Sequence, residues 1–407
     1  MSEPSLIRRR YVFYVAGYDP QGAEGYYALF RREFERFKKL WPIRGTLTPP
    51  DIAADAHSAR WRIETAAPNW QVSVDYEFLS WDDIILRDLA RPMRWRLPQA
   101  LLWLIDQLFT GTLRRVFRAS SRFGLFFIYP KVGLVLWLAV AATGGWLAWR
   151  IAIGLAASPP FIGAVVGGVV FFVLFRLLRP IADGAFVVQL TDLWLFFRDY
   201  VRGERADFEQ RIDAFAARLV ASARASDADE IVVVGHSGGA VAAALMVARA
   251  LALDPDLGKH GPRIVLLTLG SIMPAIALHP RSVRVRGVIL RLATESGLLW
   301  IDCQSRADVI NFFDFDPVAG VGIDAGPARC NPVVFQVRFR DALGSEFYEG
   351  QRWNAFRLHF QFIMANDRKA AYDYFLYLCG PLPLAAWTVD RTRTIEQFGP
   401  DGSLRGG

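Results

Sequence analysis

Cysteine is scarce: Cys303, Cys330 and Cys379 are the only three in 407 residues. An odd count without close spacing excludes a disulfide framework and any cysteine-based zinc or iron–sulfur site. The thiols read as buried and reduced, which places the soluble part in the cytoplasm. Charged residues make up only 21% of the chain and aromatics 14%, a balance that excludes disorder. The net charge of +7 raises the question of nucleic acid. However, zinc-finger, RNP and phosphate-loop patterns are absent, and the basic residues lie beside apolar stretches, so no nucleic-acid partner is expected. A cleaved export signal is also lacking: the arginines at 8–10 precede an apolar run that Asp19 breaks too early. Those arginines read as a solvated or lipid-facing basic edge. No internal repeat is visible.

What the chain has in excess is apolar surface, 53% of residues with a mean hydropathy of +0.22, against roughly 45–50% in a soluble domain. The excess has one location. Val132–Trp149 is uncharged, Arg150 interrupts, and Ile151–Phe175 is again uncharged, with Pro159-Pro160 inside. A helix needs about 20 apolar residues to cross a bilayer core. This pattern predicts two membrane helices, 132–149 and 160–178, joined by a turn at the prolines. Arg114, Arg115, Arg118, Arg122 and Lys131 precede the pair and Arg176 and Arg179 follow it. Excess Lys and Arg marks the cytoplasmic side, so both termini are expected there. Gly163 and Gly167 form a G-x-x-x-G that lets helices approach closely. Leu101–Arg118 mixes Trp, Phe and Leu with arginines and reads as a helix lying in the bilayer interface or packed on the soluble part.

The rest is a mixed α/β chain. Strands are expected at Tyr11–Ala16, Glu230–Val234, Arg263–Leu269, Gly297–Cys303 and Val333–Phe339, and a hairpin at Arg60–Thr65 with Gln71–Phe78. Helices are expected at Gly25–Leu40, Asp207–Arg224 and Gly239–Leu253. Fully apolar strands alternating with helices imply a mostly parallel sheet covered on both faces. The expected organisation is 1–100 as the first part of the α/β domain, 101–131 as an amphipathic segment and 132–178 as the membrane hairpin. Residues 179–397 form the second part and 398–407 a flexible tail. Trp81-Asp82-Asp83 has no clustered ligands beside it and reads as a turn or a salt bridge to Arg87 or Arg91.

The most informative segment is Ile231–Leu251. An apolar strand runs into Gly235-His236-Ser237-Gly238-Gly239 and an alanine-rich helix follows at once. This is the G-x-S-x-G nucleophile elbow in its strand–turn–helix context. Ser237 must occupy a tight, strained turn so that its hydroxyl projects above the sheet, and side chains at 235 and 239 would collide with backbone.

On this motif the chain resembles the α/β-hydrolase superfamily, particularly its lipase- and esterase-like members, over Tyr11–Phe37 and about Phe186–Tyr377. The resemblance implies a serine nucleophile followed in the chain by an acid and then a histidine. Of the five histidines, His57 precedes Ser237, His236 lies inside the elbow as a structural neighbour, and His260 and His279 come too early. His359 follows the last expected strand and is the expected base. For the acid, Asp308 best matches the loop of the relatives, with Asp302 and Asp316 as alternatives. The oxyanion hole would combine the amide of Gly238 with one from Gly17 or Tyr18, in an AGYDP loop that departs from the HG pattern of many relatives. The resemblance thus implies a membrane-anchored serine esterase acting on lipid or other amphipathic acyl esters, without metal or organic cofactor. An inactive membrane-tethered scaffold, an acyltransferase or a thioesterase would carry the same residues.

Overall fold

The computed structural model describes residues 6–156 and 159–405. Its centre is a nine-stranded sheet, formed by β1 (Arg9–Val15), β2 (Arg44–Leu47), β3 (Asp51–Ile52), β4 (Ser58–Ala67), β5 (Trp70–Leu79), β6 (Glu230–His236), β7 (Arg263–Leu269), β8 (Leu298–Ser305) and β9 (Val333–Val337). The order is β2-β4-β5-β1-β6-β7-β8-β9, with β3 also on β4. From β5 to β9 all neighbours are parallel, while β2, β3 and β5 meet β4 antiparallel. The fold is therefore α/β with a mostly parallel, mixed sheet.

The principal helices are α1 (Gly22–Leu40), α2 (Met93–Phe109), α3 (Thr112–Ala119), α4 (Ser121–Ala156), α5 (Pro160–Leu177), α6 (Val187–Val201), α7 (Ala206–Ala225), α8 (Gly239–Leu253), α9 (Val283–Ala293) and α10 (Ala355–Phe360). Successive strand residues point to opposite faces, and both faces are covered. Phe13, Val15, Ile231 and Val233 pack with residues of α6 to α9. Val12, Tyr14, Val232 and Val234 pack with Phe30, Phe34 and Phe37 of α1 and the segment around Tyr374–Trp387. Double coverage is why these strands carry no polar alternation.

Helices α4 and α5 are each long and apolar enough to cross a membrane. They meet through small residues: a Cβ on Gly145 would lie 2.7 Å from the Gly167 carbonyl oxygen, and one on Gly163 2.9 Å from Trp149. Gly163 and Gly167 are the buried residues of α5, as the G-x-x-x-G spacing implies. The first helix, however, begins at Ser121 and continues through Ala156, not 132–149. Lys131, expected to precede the helix, lies inside it, as does Pro130. The Lys131 ammonium sits 3.4 Å from the Trp103 ring centroid and donates to the Phe127 carbonyl at 3.1 Å. These contacts hold the lysine side chain within the helix.

The start of α4 belongs to the main core. Phe123 and Phe127 pack on Trp194, and Trp103 of α2 stacks on the same indole. Across α2, Trp103 faces inward while Leu101, Leu102, Ile105, Leu108 and Phe109 are exposed, the last at 89%.

Three further expectations are corrected. The C-terminal tail is packed as far as Arg405: Phe398 lies edge-on to Trp41, and Trp70 Nε1 donates to the Gly402 carbonyl. Residues 406–407 lie outside the described residues. Arg10 is no surface residue; it is buried, pairing with Glu230 at 2.8 Å and donating to the carbonyls of Leu378, Gly380 and Leu382. Cys330 is exposed, whereas Cys303 and Cys379 are buried.

Candidate active site

At the end of β6 the chain turns through Ser237 into α8. Ser237 has φ of 59°, the left-handed region, which costs a residue with a Cβ about 1–2 kcal/mol. The turn is held because the Ser237 amide donates to the Leu269 carbonyl of β7 at 2.9 Å, and the Ser237 carbonyl accepts from Ala240 at 3.2 Å. The flanking glycines are dictated by contact. A Cβ on Gly239 would lie 2.2 Å from the Val15 carbonyl oxygen, and one on Gly235 2.6 Å from the Ala240 Cα. Gly17 gives the serine its headroom, since a Cβ there would lie 3.1 Å from that of Ser237.

Two other segments reach this strand end. His359 lies on α10, whose first turn is capped by Asn354. Its imidazole rests on Gly270, the residue after β7: a Cβ on Gly270 would lie 2.9 Å from His359 Cε1. Gly270 directly follows Leu269, the residue that accepts the Ser237 amide bond. Asp308 comes from the loop after β8, and its Oδ2 accepts from His359 Nδ1 at 2.7 Å. Both side chains are buried. With Nδ1 donating to the carboxylate, Nε2 is the acceptor, and it is buried without a partner among the described residues. No Ser237–His359 hydrogen bond is therefore formed in the resting structure.

The carboxylates left open by the sequence separate cleanly. Asp308 Oδ1 accepts from the Ile310 amide at 2.8 Å, a local turn that aims Oδ2 at the imidazole. Asp302 lies within β8 and is held by Thr268 at 2.5 Å and Gln304 at 2.8 Å; burial pushes its carboxyl above the ordinary range. Asp316 caps the Val318 amide and pairs with Arg329 at 2.8 Å. Of the three, Asp308 alone meets His359. Of the remaining histidines, His57 is engaged with Arg211 and His279 with Asp106, and His260 is exposed in the loop before β7. Asp83 pairs with Arg211 as well as Arg87, and Asp82 is buried beside Ser80.

His236 packs against His359. Its ring lies 4.5 Å from that of His359, and its Nε2 donates to the His359 carbonyl at 3.1 Å. Burial pushes its imidazole well below the ordinary range, and the neighbouring His359 adds to this. The unfolded chain gains a proton here as pH falls through about 6.5, while the folded chain stays neutral. This histidine therefore makes folding less favourable as pH falls below that value. His236→Gln keeps a donor and removes the titration. In chemical denaturation, wild type is expected to lose stability relative to His236→Gln between about pH 7 and about pH 5. A constant difference would contradict a neutral His236.

The amides expected at the oxyanion position also converge. A Cβ on Gly238 would lie 3.5 Å from Tyr18 N. Neither the Tyr18 nor the Gly238 amide donates to another backbone group among the described residues. The Tyr18 amide nitrogen thus lies close to Gly238, beside the first turn of α8 with its positive dipole end. Sequence reasoning missed the residues that steady this site. Gln189 of α6 donates to the Tyr18 carbonyl at 3.0 Å, and Trp81 Nε1 to the Ala16 carbonyl at 3.0 Å. Asn311 bridges Ser305 and Asp308 in the acid loop. Each acts across a long or irregular stretch of chain, so neither periodicity nor motif marks it.

No protein-family model, curated protein or solved structure matches this chain.

Proposed function

We propose that this chain is a serine hydrolase of α/β-hydrolase fold, anchored in a membrane by the α4–α5 hairpin and cleaving carboxylic esters of lipids or other amphipathic acyl compounds. One observation carries the reading. A serine held at φ of 59° bonds through its amide to the Leu269 carbonyl, and an imidazole bonded to a carboxylate at 2.7 Å rests on the next residue, Gly270, so three separate segments meet at one strand end. Such strain persists only where the surrounding structure enforces it, and it clusters at functional sites.

In the proposed reaction Ser237 Oγ attacks the ester carbonyl carbon and its proton passes to His359 Nε2. Asp308 holds the Nδ1 proton and stabilises the imidazolium. The oxyanion accepts from the amides of Gly238 and Tyr18. The C–O bond to the alcohol breaks as His359 returns the proton to it. Water, deprotonated by His359, then releases the acid and regenerates Ser237.

The anchoring part rests on length and charge. α5 has 18 residues, about 27 Å of helix, close to a bilayer core of about 30 Å. Arg114, Arg118, Arg122, Arg176 and Arg179 are exposed at the foot of the pair, which supports a cytoplasmic catalytic part with both termini on that side. The exposed apolar stripe of α2 fits a helix lying in the interface. Because Trp103, Phe123 and Phe127 belong to the main core, the chain should be tested whole.

The test is turnover of p-nitrophenyl butyrate by protein in lipid nanodiscs. The expected result is turnover, with an initial burst of p-nitrophenol where deacylation of the acyl-enzyme is the slower step. Folded protein giving neither burst nor turnover would favour the scaffold reading, which the absent Ser237–His359 hydrogen bond alone supports. Acyl transfer or thioester cleavage by the same residues would show as faster acyl-enzyme decay with an added alcohol, or as preference for a thioester.

A further inference from the structure

A groove of about 780 Å³ lies at the foot of α4, within the roughly 300–1,000 Å³ range of ligand pockets. Its inner wall is built from neighbours of the catalytic residues. Val309 follows Asp308 in the chain, and Phe356 precedes His359 by one turn of α10. Phe186 completes that wall, its ring 4.4 Å from that of Phe356. Phe186 has φ of 58°, a costly conformation for a bulky side chain, held by its amide donating to the Asp183 carbonyl and its carbonyl accepting from Leu190. Three residues further on, Gln189 donates to the Tyr18 carbonyl of the oxyanion loop. The groove is thus bounded by the acid loop, the base helix and the helix that steadies the oxyanion amides.

Its outer end continues onto the candidate membrane span. Leu125 lines the groove, and Tyr129, Val132 and Leu136 follow it at helical spacing, all exposed at between 42% and 65%. This makes one apolar stripe leading from α4 into the groove. No acidic residue lines it. Arg122 also lines the groove and donates to the Arg306 carbonyl, and Trp353, another lining residue, is 86% exposed, as suits an interfacial aromatic.

We propose that this groove is the acyl-chain port of the site, taking the chain of a membrane lipid ester with an anionic head group from the bilayer surface to His359 and Ser237. The apolar continuity with α4 selects a chain arriving from lipid, and the basic, acid-free mouth selects the head group. The proposal rests on the hydrolase reading, and its tests separate the two.

Ser237→Ala protein in nanodiscs, which needs no turnover, is photolabelled with lysophosphatidylglycerol carrying a diazirine at the chain end. Adducts on peptides containing Leu125, Phe186 or Phe356 are expected; adducts confined to α5 or to the far half of α4 would overturn the proposal. In otherwise wild-type protein, Leu125→Trp should lower the ratio of kcat/KM for p-nitrophenyl palmitate over butyrate by about tenfold or more, the effect of losing part of an apolar subsite. Arg122→Gln should raise KM for lysophosphatidylglycerol relative to lysophosphatidylcholine by roughly twofold to fivefold, as for a partly exposed charge pair. Unchanged ratios in both variants would overturn the proposal while leaving butyrate turnover, and with it the hydrolase reading, standing.

Discussion

Ser237→Ala is expected to lower kcat for ester hydrolysis by on the order of 10⁴–10⁶, because removing a nucleophile that acts in concert with its base eliminates the covalent route. Ser237→Gly should lose as much activity and gain stability. At φ of 59° a Cβ is strained, so its removal is expected to raise the unfolding free energy by about 1 kcal/mol. The pair separates chemistry from folding. A loss of activity accompanied by lower stability in both variants would point to a structural serine instead. Stability gained at the expense of activity is what a strained catalytic turn predicts.

Asp308→Asn should have the second largest effect, a fall in kcat on the order of 10⁴ with the fold intact. The reasoning follows from which atoms are already bonded. Oδ1 of Asp308 accepts from the Ile310 amide at 2.8 Å, and Oδ2 accepts from His359 Nδ1 at 2.7 Å. An asparagine keeps its oxygen toward the Ile310 amide and turns its NH₂ toward Nδ1. The imidazole must then accept at Nδ1 and carry its proton on Nε2, where it cannot take the serine proton. The thermal midpoint and the KM should change little, since the side chain keeps its shape and one of its bonds. A fall of less than tenfold would mean that Asp308 does not orient the base.

Strand–turn–helix grammar carried the elbow in the sequence: β7 and α8 occupy the expected residues, and β6 runs two residues further, to His236. The choice among Asp308, Asp302 and Asp316 was open until the Ile310 amide, Thr268 and Arg329 showed what each carboxylate is bonded to. The start of α4 was hidden for a different reason. Lys131 looks like a flanking charge along the chain, but Trp103, distant in sequence, supplies the aromatic face that lets the lysine stay inside. Arg10 likewise appeared solvated because its partner Glu230 lies far along the chain. Local pattern reveals elements whose buried face repeats, whereas a buried charge is legible only through the residue that answers it. Gln189 and Asn311 belong to the second kind.

The proposed function turns on Ser237 as an activated nucleophile with His359 as its base. Labelling with a fluorophosphonate, which reacts only with activated serines, tests it most directly, on detergent-solubilised wild type, Ser237→Ala and His359→Ala, each shown to be folded by circular dichroism. A single adduct on Ser237 is expected in wild type and none in either variant. Folded wild type left unlabelled, or labelling that survives in Ser237→Ala, would contradict it.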